Sequence, residues 1–313
     1  MNFKYNDLNN FKNLMSLKNA EIDIFTLNMH FVTPFTLILP ASYAYEHEIK
    51  INKIDDNPKC SDVHSYAEYI NFFDWLLGKE GSTKKYNDKY YPITRLDLNK
   101  YIRVSNNIVE QEAKKIANIF KENEEVIDII NYCISEILRN IPEHSESKNG
   151  WICAQKWNHH NYVEIEVAIV DYGIGLIEKT KEQYPSLNSE EIIKKVLSPG
   201  FTQSTYEIKD YEEEAYQNSG YGLYVVSNLC KKLNGEFSVL SNNSLYKLEK
   251  NKADHSIFFP SFPGTAIKIK LQIDDSLNSD ELIKQIVKEG ERIASNQNDR
   301  ITTASKKTKS LNL

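Results

Sequence analysis

Four short groups of residues carry the chemistry open to this chain. Glu136 and Asn140 stand four apart, and His144 follows four further on. On a helix, positions i and i+4 share one face, so a carboxylate and an amide would project one turn apart. An amide oxygen suits Mg2+, which takes oxygen ligands and keeps several waters. A carboxylate beside it can orient or deprotonate a nucleophile at a phosphate. The isoleucines at 130, 134, 137 and 141 occupy another face. Glu136 and Asn140 are therefore expected to point out of the core together.

The second group, Asp171-Tyr172-Gly173-Ile174-Gly175, directly follows the expected strand Val163–Val170. A carboxylate at a strand end can accept a hydrogen bond from an exocyclic amine such as adenine's, and the two glycines let backbone approach a flat ligand. A dinucleotide fingerprint does not fit, because Glu178 stands at its third glycine position. The third group, Gly220-Tyr221-Gly222-Leu223, opens a helical pattern. Glycines at a helix N-terminus leave N–H groups available to phosphate oxygens, with the helix dipole in support. The fourth, Gly264-Thr265, opens a strand and offers a hydroxyl to a base.

These groups need elements to hold them. Apolar spacing predicts helices over Val109–Phe120 and Ile127–Ile141, the second ended by Pro142. A hairpin is expected from Gly150–Trp157 and Tyr162–Val170, joined at 158–161. Within 176–219 one helix is expected, Ser189–Leu197, in otherwise polar chain. Tyr221–Leu233 reads as a helix stopped by Asn234-Gly235. Strands Glu236–Ser241 and Thr265–Ile273 follow, separated by 242–263, then a helix Ser279–Ala294 and a disordered tail. The first 105 residues read as a separate α/β unit. It holds strands at Ile22–Phe31 and Tyr90–Leu96, a short helix over Phe35–Tyr45 after Pro34, and a helix over Ser65–Leu77.

The segments 134–144, 167–176, 220–241 and 263–271 resemble the successive motifs of the GHKL superfamily, which joins gyrase, heat-shock chaperone, histidine-kinase and mismatch-repair ATPase domains. The resemblance spans about residues 106–275. It implies an α/β (α+β sandwich) fold, a mixed and largely antiparallel sheet faced by helices, with ATP and Mg2+ as cofactors. By motif match Asn140 would coordinate Mg2+, and Asp171 would bind the adenine amino group. Gly173 and Gly175 would line the adenine pocket, Gly220, Gly222 and Leu223 would meet the phosphates, and Thr265 would contact the base side. Glu136 matches the general base of the hydrolysing and serine-phosphorylating branches. Residues 176–219 would form the ATP lid, with 200–205 near the phosphates.

The branch follows less directly. Glu136-x3-Asn140-x3-His144 is similar to anti-sigma serine kinases, although Pro142 departs from them and the lid is longer. His30-Phe31-Val32-Thr33-Pro34 imitates a histidine-kinase phosphoacceptor, but its proline comes one residue early and its setting reads as a strand. The N-terminal part is weakly similar to STAS-like modules. The implied activity is slow ATP hydrolysis or phosphoryl transfer to a protein serine or threonine. The alternatives are an ATP-gated interaction switch and an ATPase subunit of a defence or DNA-acting complex.

Composition bounds the partners. The chain has 313 residues, 41% hydrophobic and 26% charged, with net charge −6. That balance is globular and argues against direct nucleic-acid binding, which calls for a basic field. A protein partner or phosphoacceptor is expected, and a homodimer is compatible. Four scattered cysteines and the absence of a long apolar run point to a reducing cytoplasm and no membrane partner. No phosphate-binding G-x4-G-K-[ST] loop occurs. His159-His160 with Cys153 lacks the spacing of a metal site. Residues 207–214 are strongly acidic, and the tail carries Arg300, Lys306, Lys307 and Lys309, so a lid-to-tail attraction is expected at close range.

Overall fold

The computed structural model describes residues 1–17, 20–55, 61–81, 87–98, 107–201, 220–296 and 303–309. The chain opens with β1 (Asn2–Tyr5), α1 (Leu8–Met15), β2 (Glu21–Leu27), α2 (Pro34–Glu46), β3 (Lys50–Asp55), α3 (Ser61–Tyr69) and α4 (Phe72–Leu76). It continues with β4 (Tyr90–Asp97), α5 (Asn107–Asn118), α6 (Glu124–Asn140), a π-helical turn (Ile141–Ser145), β5 (Asn149–Asn158) and β6 (Val163–Asp171). Then follow α7 (Leu176–Gln183), α8 (Ser189–Val196), α9 (Gly222–Lys232), β7 (Glu236–Glu249), β8 (His255–Ile273), α10 (Ser279–Ala294) and α11 (Lys306–Lys309). Among the described residues no helix is long and apolar enough to cross a membrane.

Two sheets result. β1, β2 and β3 pair in parallel, while the larger sheet has the order β4-β5-β6-β8-β7 and is antiparallel throughout. Its edge strand β4 comes from the first 105 residues and pairs along β5, with Tyr91 opposite Ala154 and Arg95 opposite Trp151.

Strand alternation gives the large sheet two buried faces. On β6, Ile165, Val167 and Ile169 join one core with Ile116 of α5, Phe120 just after it, Ile130 and Ile137 of α6, Val226 of α9 and Ile286 of α10. Ala168 and Val170 join the other core, built from the N-terminal segment, with Leu37, Tyr43 and Phe72.

α2 is the centre of that second core and is buried nearly all round, as expected of a helix with no solvent face. Pro34 starts it, where a missing N–H costs nothing. The Phe35 N–H, an orphan of the first turn, donates to Glu166 Oε1 on β6 at 3.0 Å. Pro40 cannot bond the Thr36 carbonyl, and the Tyr5 hydroxyl does so at 2.7 Å. At the C-terminal end, Glu46 accepts from Arg95 Nε at 2.8 Å and Trp151 Nε1 at 3.0 Å. The helix is thus tied at both ends to the large sheet.

Several elements differ from expectation. The single helix over Ser65–Leu77 breaks into α3 and α4 because Ile93 N–H of β4 takes the Ile70 carbonyl and Asn71 turns left-handed at φ 66°. The strands expected to be separated by 242–263 form one long hairpin, with register shifts at Ser241, Asn242 and Ser244. Those irregularities break the alternation that would have marked the extension. The tail expected to be disordered is held in its described part: Ala304 N–H donates to Glu291 at 3.0 Å and Lys309 pairs with Glu291 at 2.8 Å. The acidic run 207–214 and Arg300 lie outside the described residues.

Candidate functional site

α6 presents its isoleucine face to the sheet and ends at Asn140, where Pro142 forbids the next regular turn. The wider π turn that follows carries His144 and Ser145 toward β6. There the Ser145 carbonyl accepts from Ile174 N–H at 2.8 Å, and the Gly173 backbone packs directly on that carbonyl. The 171–175 loop is therefore clamped against the end of α6.

Asp171 closes β6, directly opposite Thr265 of β8. Its side chain is buried, and Gly173 N–H donates to its Oδ1 at 2.9 Å. Burial pushes its carboxyl up to about 6, against the opposing pull of the Gly173 N–H, the Ser145 side chain and the Thr265 backbone. Beyond Gly175 the chain enters α7, whose first amides are met by two strand ends. Leu176 N–H donates to Thr265 Oγ1 at 3.0 Å, and Ile177 N–H to Ser241 Oγ at 3.4 Å. The Thr265 hydroxyl is thus already a helix cap.

α9 begins at Gly222, and the side chain of its N-cap residue, Tyr221, makes no capping bond. Gly220 takes φ 71°, which glycine tolerates without strain, and this lets its carbonyl accept from Gly200 N–H at 3.1 Å. Phe201 and Gly220, the last and first described residues around 202–219, are thereby held together. A side chain on Gly222 would collide with the Glu136 carboxylate.

One cleft of about 820 Å3, counting its open mouth, collects these parts. Asn140, Asp171, Gly175, Gly220, Gly222, Leu223 and Thr265 line it, over a floor that includes Ile137, Ile169 and Ile267. Gly173 stands behind the Asp171 carboxylate instead of on the wall. Of residues 176–219, expected to form a lid, Leu176, Lys179, Val196 and Phe201 line the cleft, and residues 202–219 lie outside the described residues.

Glu136 corrects the expectation of an outward-facing pair. It is buried, 9% exposed, one layer behind Gly222. Arg139 Nη1 approaches its Oε1 at 3.4 Å while Nη2 reaches Glu110 of α5, also at 3.4 Å. Burial raises the Glu136 carboxyl and Arg139 opposes the rise. α9 and α5 cover the flank of α6 that a helical wheel leaves free.

The remaining candidates separate. His30 lies exposed in the loop before α2 and not on a helix. His159 stacks on Tyr162 in the β5–β6 turn, while Cys153 is buried in the N-terminal core. Among the described residues no three His, Cys, Asp or Glu side chains form a metal site. Cys133, Cys153 and Cys230 are free and buried, and Cys60 lies outside the described residues. A divalent ion held by the Asn140 amide oxygen, completed by water and ligand oxygens, fits this donor set better than an all-protein cage.

Residues 125–275 match the family described as histidine kinase-, DNA gyrase B- and HSP90-like ATPases. This domain belongs to that family. The matched stretch of the ATPase domain runs from the first turn of α6 to just past β8, and it includes all nine residues assigned by motif match, from Glu136 to Thr265. No curated protein matches the chain. Two wall residues of the ATPase domain escaped the sequence reading, Lys179 and Ser145. Lys179 sits on α7, in a stretch expected to be polar chain outside any helix; the spacing of Leu176, Ile177 and Thr180 is the available signal.

Proposed function

We propose that the cleft binds Mg-ATP and that the protein is a regulatory protein with slow ATP turnover. In this reading the adenine amine lies on Asp171, the phosphates on the first turn of α9, and Mg2+ on Asn140. One observation carries it: a buried carboxylate and the N-terminus of α9 border the same cleft. Bound Mg2+ would neutralise charge developing on the phosphates. Glu136 is the base, acting on water or on a serine or threonine hydroxyl of a protein partner, as in the anti-sigma-kinase-like branch. Its place behind Gly222, shared with Arg139, supports slow turnover.

Calorimetry with Mg-ADP and turnover of γ-labelled ATP test the two halves. Asp171→Asn should lose at least about tenfold in affinity. Glu136→Ala should bind and not turn over. Equal turnover by Glu136→Ala removes it as base, and equal affinity of Asp171→Asn removes the adenine assignment.

A second reading, an ATP-gated interaction switch, has its own support. Tyr172, inside the glycine motif, bonds Ser42 Oγ of α2 at 2.7 Å and meets the rings of His47 and Phe262 at 5.5 and 5.6 Å. Nucleotide-dependent hydrogen-exchange protection in α2 would favour the switch; identical exchange would exclude it.

A further inference from the structure

The cleft wall is poor in positive charge. Asn140, Ser145 and Thr265 are neutral, and Asp171 is a carboxylate. His144 is uncharged near pH 7, held down to about 4 by burial and then by the Lys179 charge beside it. Among the described lining residues Lys179 is the one lysine or arginine. A nucleoside polyphosphate brings several negative charges, and a helix N-terminus answers with only about half a charge.

Lys179 is placed to supply the rest. It lies one turn into α7, next to His144, which itself follows Asn140 by one turn of α6 and its π extension. Its side chain is 26% exposed, so the stem is packed and the ammonium sits at the rim. Its ion pair is with Glu146 Oε1 at 3.8 Å, and the Glu146 side chain is 70% exposed. A pair that long and that wet holds the ammonium weakly, and a phosphate oxygen offers a denser negative charge.

Resting on the nucleotide reading above, we propose that Lys179 is the phosphate-binding cation of the cleft, exchanging Glu146 for phosphate and setting the preference for nucleoside di- and triphosphates over the nucleoside. Position 179 lies outside the four motifs, so this specificity belongs to the chain and not to the motif set.

The test uses the full chain and three probes: Mg-ADP and a non-hydrolysable Mg-ATP analogue by calorimetry, and adenosine by ligand-observed NMR. Lys179→Met should weaken both polyphosphates about tenfold or more while adenosine stays within about twofold. Lys179→Arg should restore polyphosphate affinity to within about threefold, and Glu146→Gln should strengthen it by about two- to threefold at low salt, an effect lost at high salt. Retained adenosine binding certifies that the variants are folded. Unchanged polyphosphate affinity in Lys179→Met, or an equal loss for adenosine, overturns the proposal alone. Wild-type protein that binds none of the three overturns the nucleotide reading and the proposal with it.

Discussion

The two faces of the five-stranded sheet are built from the same strands to opposite ends. Toward α6 and α9, the isoleucine layer stops at Ile169 and Ile267, and the next paired positions, Asp171 and Thr265, are polar. Space remains above them, and it is the cleft. Toward α2 the same strands offer Ala168, Val170 and Ala266, and α2 with its aromatic neighbours packs on them in one buried cluster. Adjacent residues divide accordingly: Asp171 borders the cleft and Tyr172 packs half-buried against α2. A face can hold a ligand only where its apolar layer ends short of the strand; the face with no such end becomes structural.

This contrast can be broken experimentally. Trp151 is fully buried on the α2 face, 4.6 Å from Trp75 and bonded to Glu46. Trp151→Ala should cost about 3–5 kcal/mol. Urea unfolding of wild type should be a single transition by circular dichroism and fluorescence alike. Two separate transitions would show that the N-terminal segment is a tethered module and not the second layer of this sheet.

On the cleft face, Asp171 should make stability and binding respond to pH in opposite senses. Its carboxyl rises from 3.8 to about 6 on folding, so the unliganded protein loses stability as pH rises through the window from about 4 to 6, by up to about 3 kcal/mol. In the proposed assignment the adenine amine donates to the ionised carboxylate, so adenine binding should strengthen over the same window. Subtracting the Asp171→Asn profile from wild type isolates both slopes, and parallel profiles would remove Asp171 as their source.

Gly222→Ala drives a methyl into the Glu136 carboxylate and should cost about 1–3 kcal/mol, with nucleotide affinity falling alongside. Denaturant titration with and without Mg-ADP separates the two losses. The smallest effect belongs to Tyr172→Phe, which removes the Ser42 bond at about 1 kcal/mol and should leave Mg-ADP affinity within about twofold. A larger affinity change would mean that the faces communicate, as the switch reading requires.

Much of this arrangement was legible in the sequence, for identifiable reasons. The four motifs fall at element ends, and element ends are marked by Pro142, by the glycines and by the Asn234-Gly235 stop. Seven of the nine residues assigned from them border one cleft. Glu136 was misjudged because helical spacing reports which face is apolar, not how many faces are covered; α5 and α9 cover a second one. The long hairpin was hidden by bulges at Asn242 and Ser244. The tail was hidden because small residues such as Ala304 and Thr308 dock without any hydrophobic run. β1, α1 and β3 gave no distinct pattern, being short and amphipathic against a core that only the folded chain assembles.

The Gly200–Gly220 hydrogen bond has a consequence for insertions into the chain. The chain leaves the described cleft wall at Phe201 and returns at Gly220, with both points on the same rim. The anchors on either side of the intervening eighteen residues are fixed by that bond and by the packing of Gly220 on the Phe201 carbonyl. The position is in effect a splice site. A foreign domain whose own ends lie close together meets the end-to-end distance that these anchors set, and it would be joined to the protein at two residues that line the cleft.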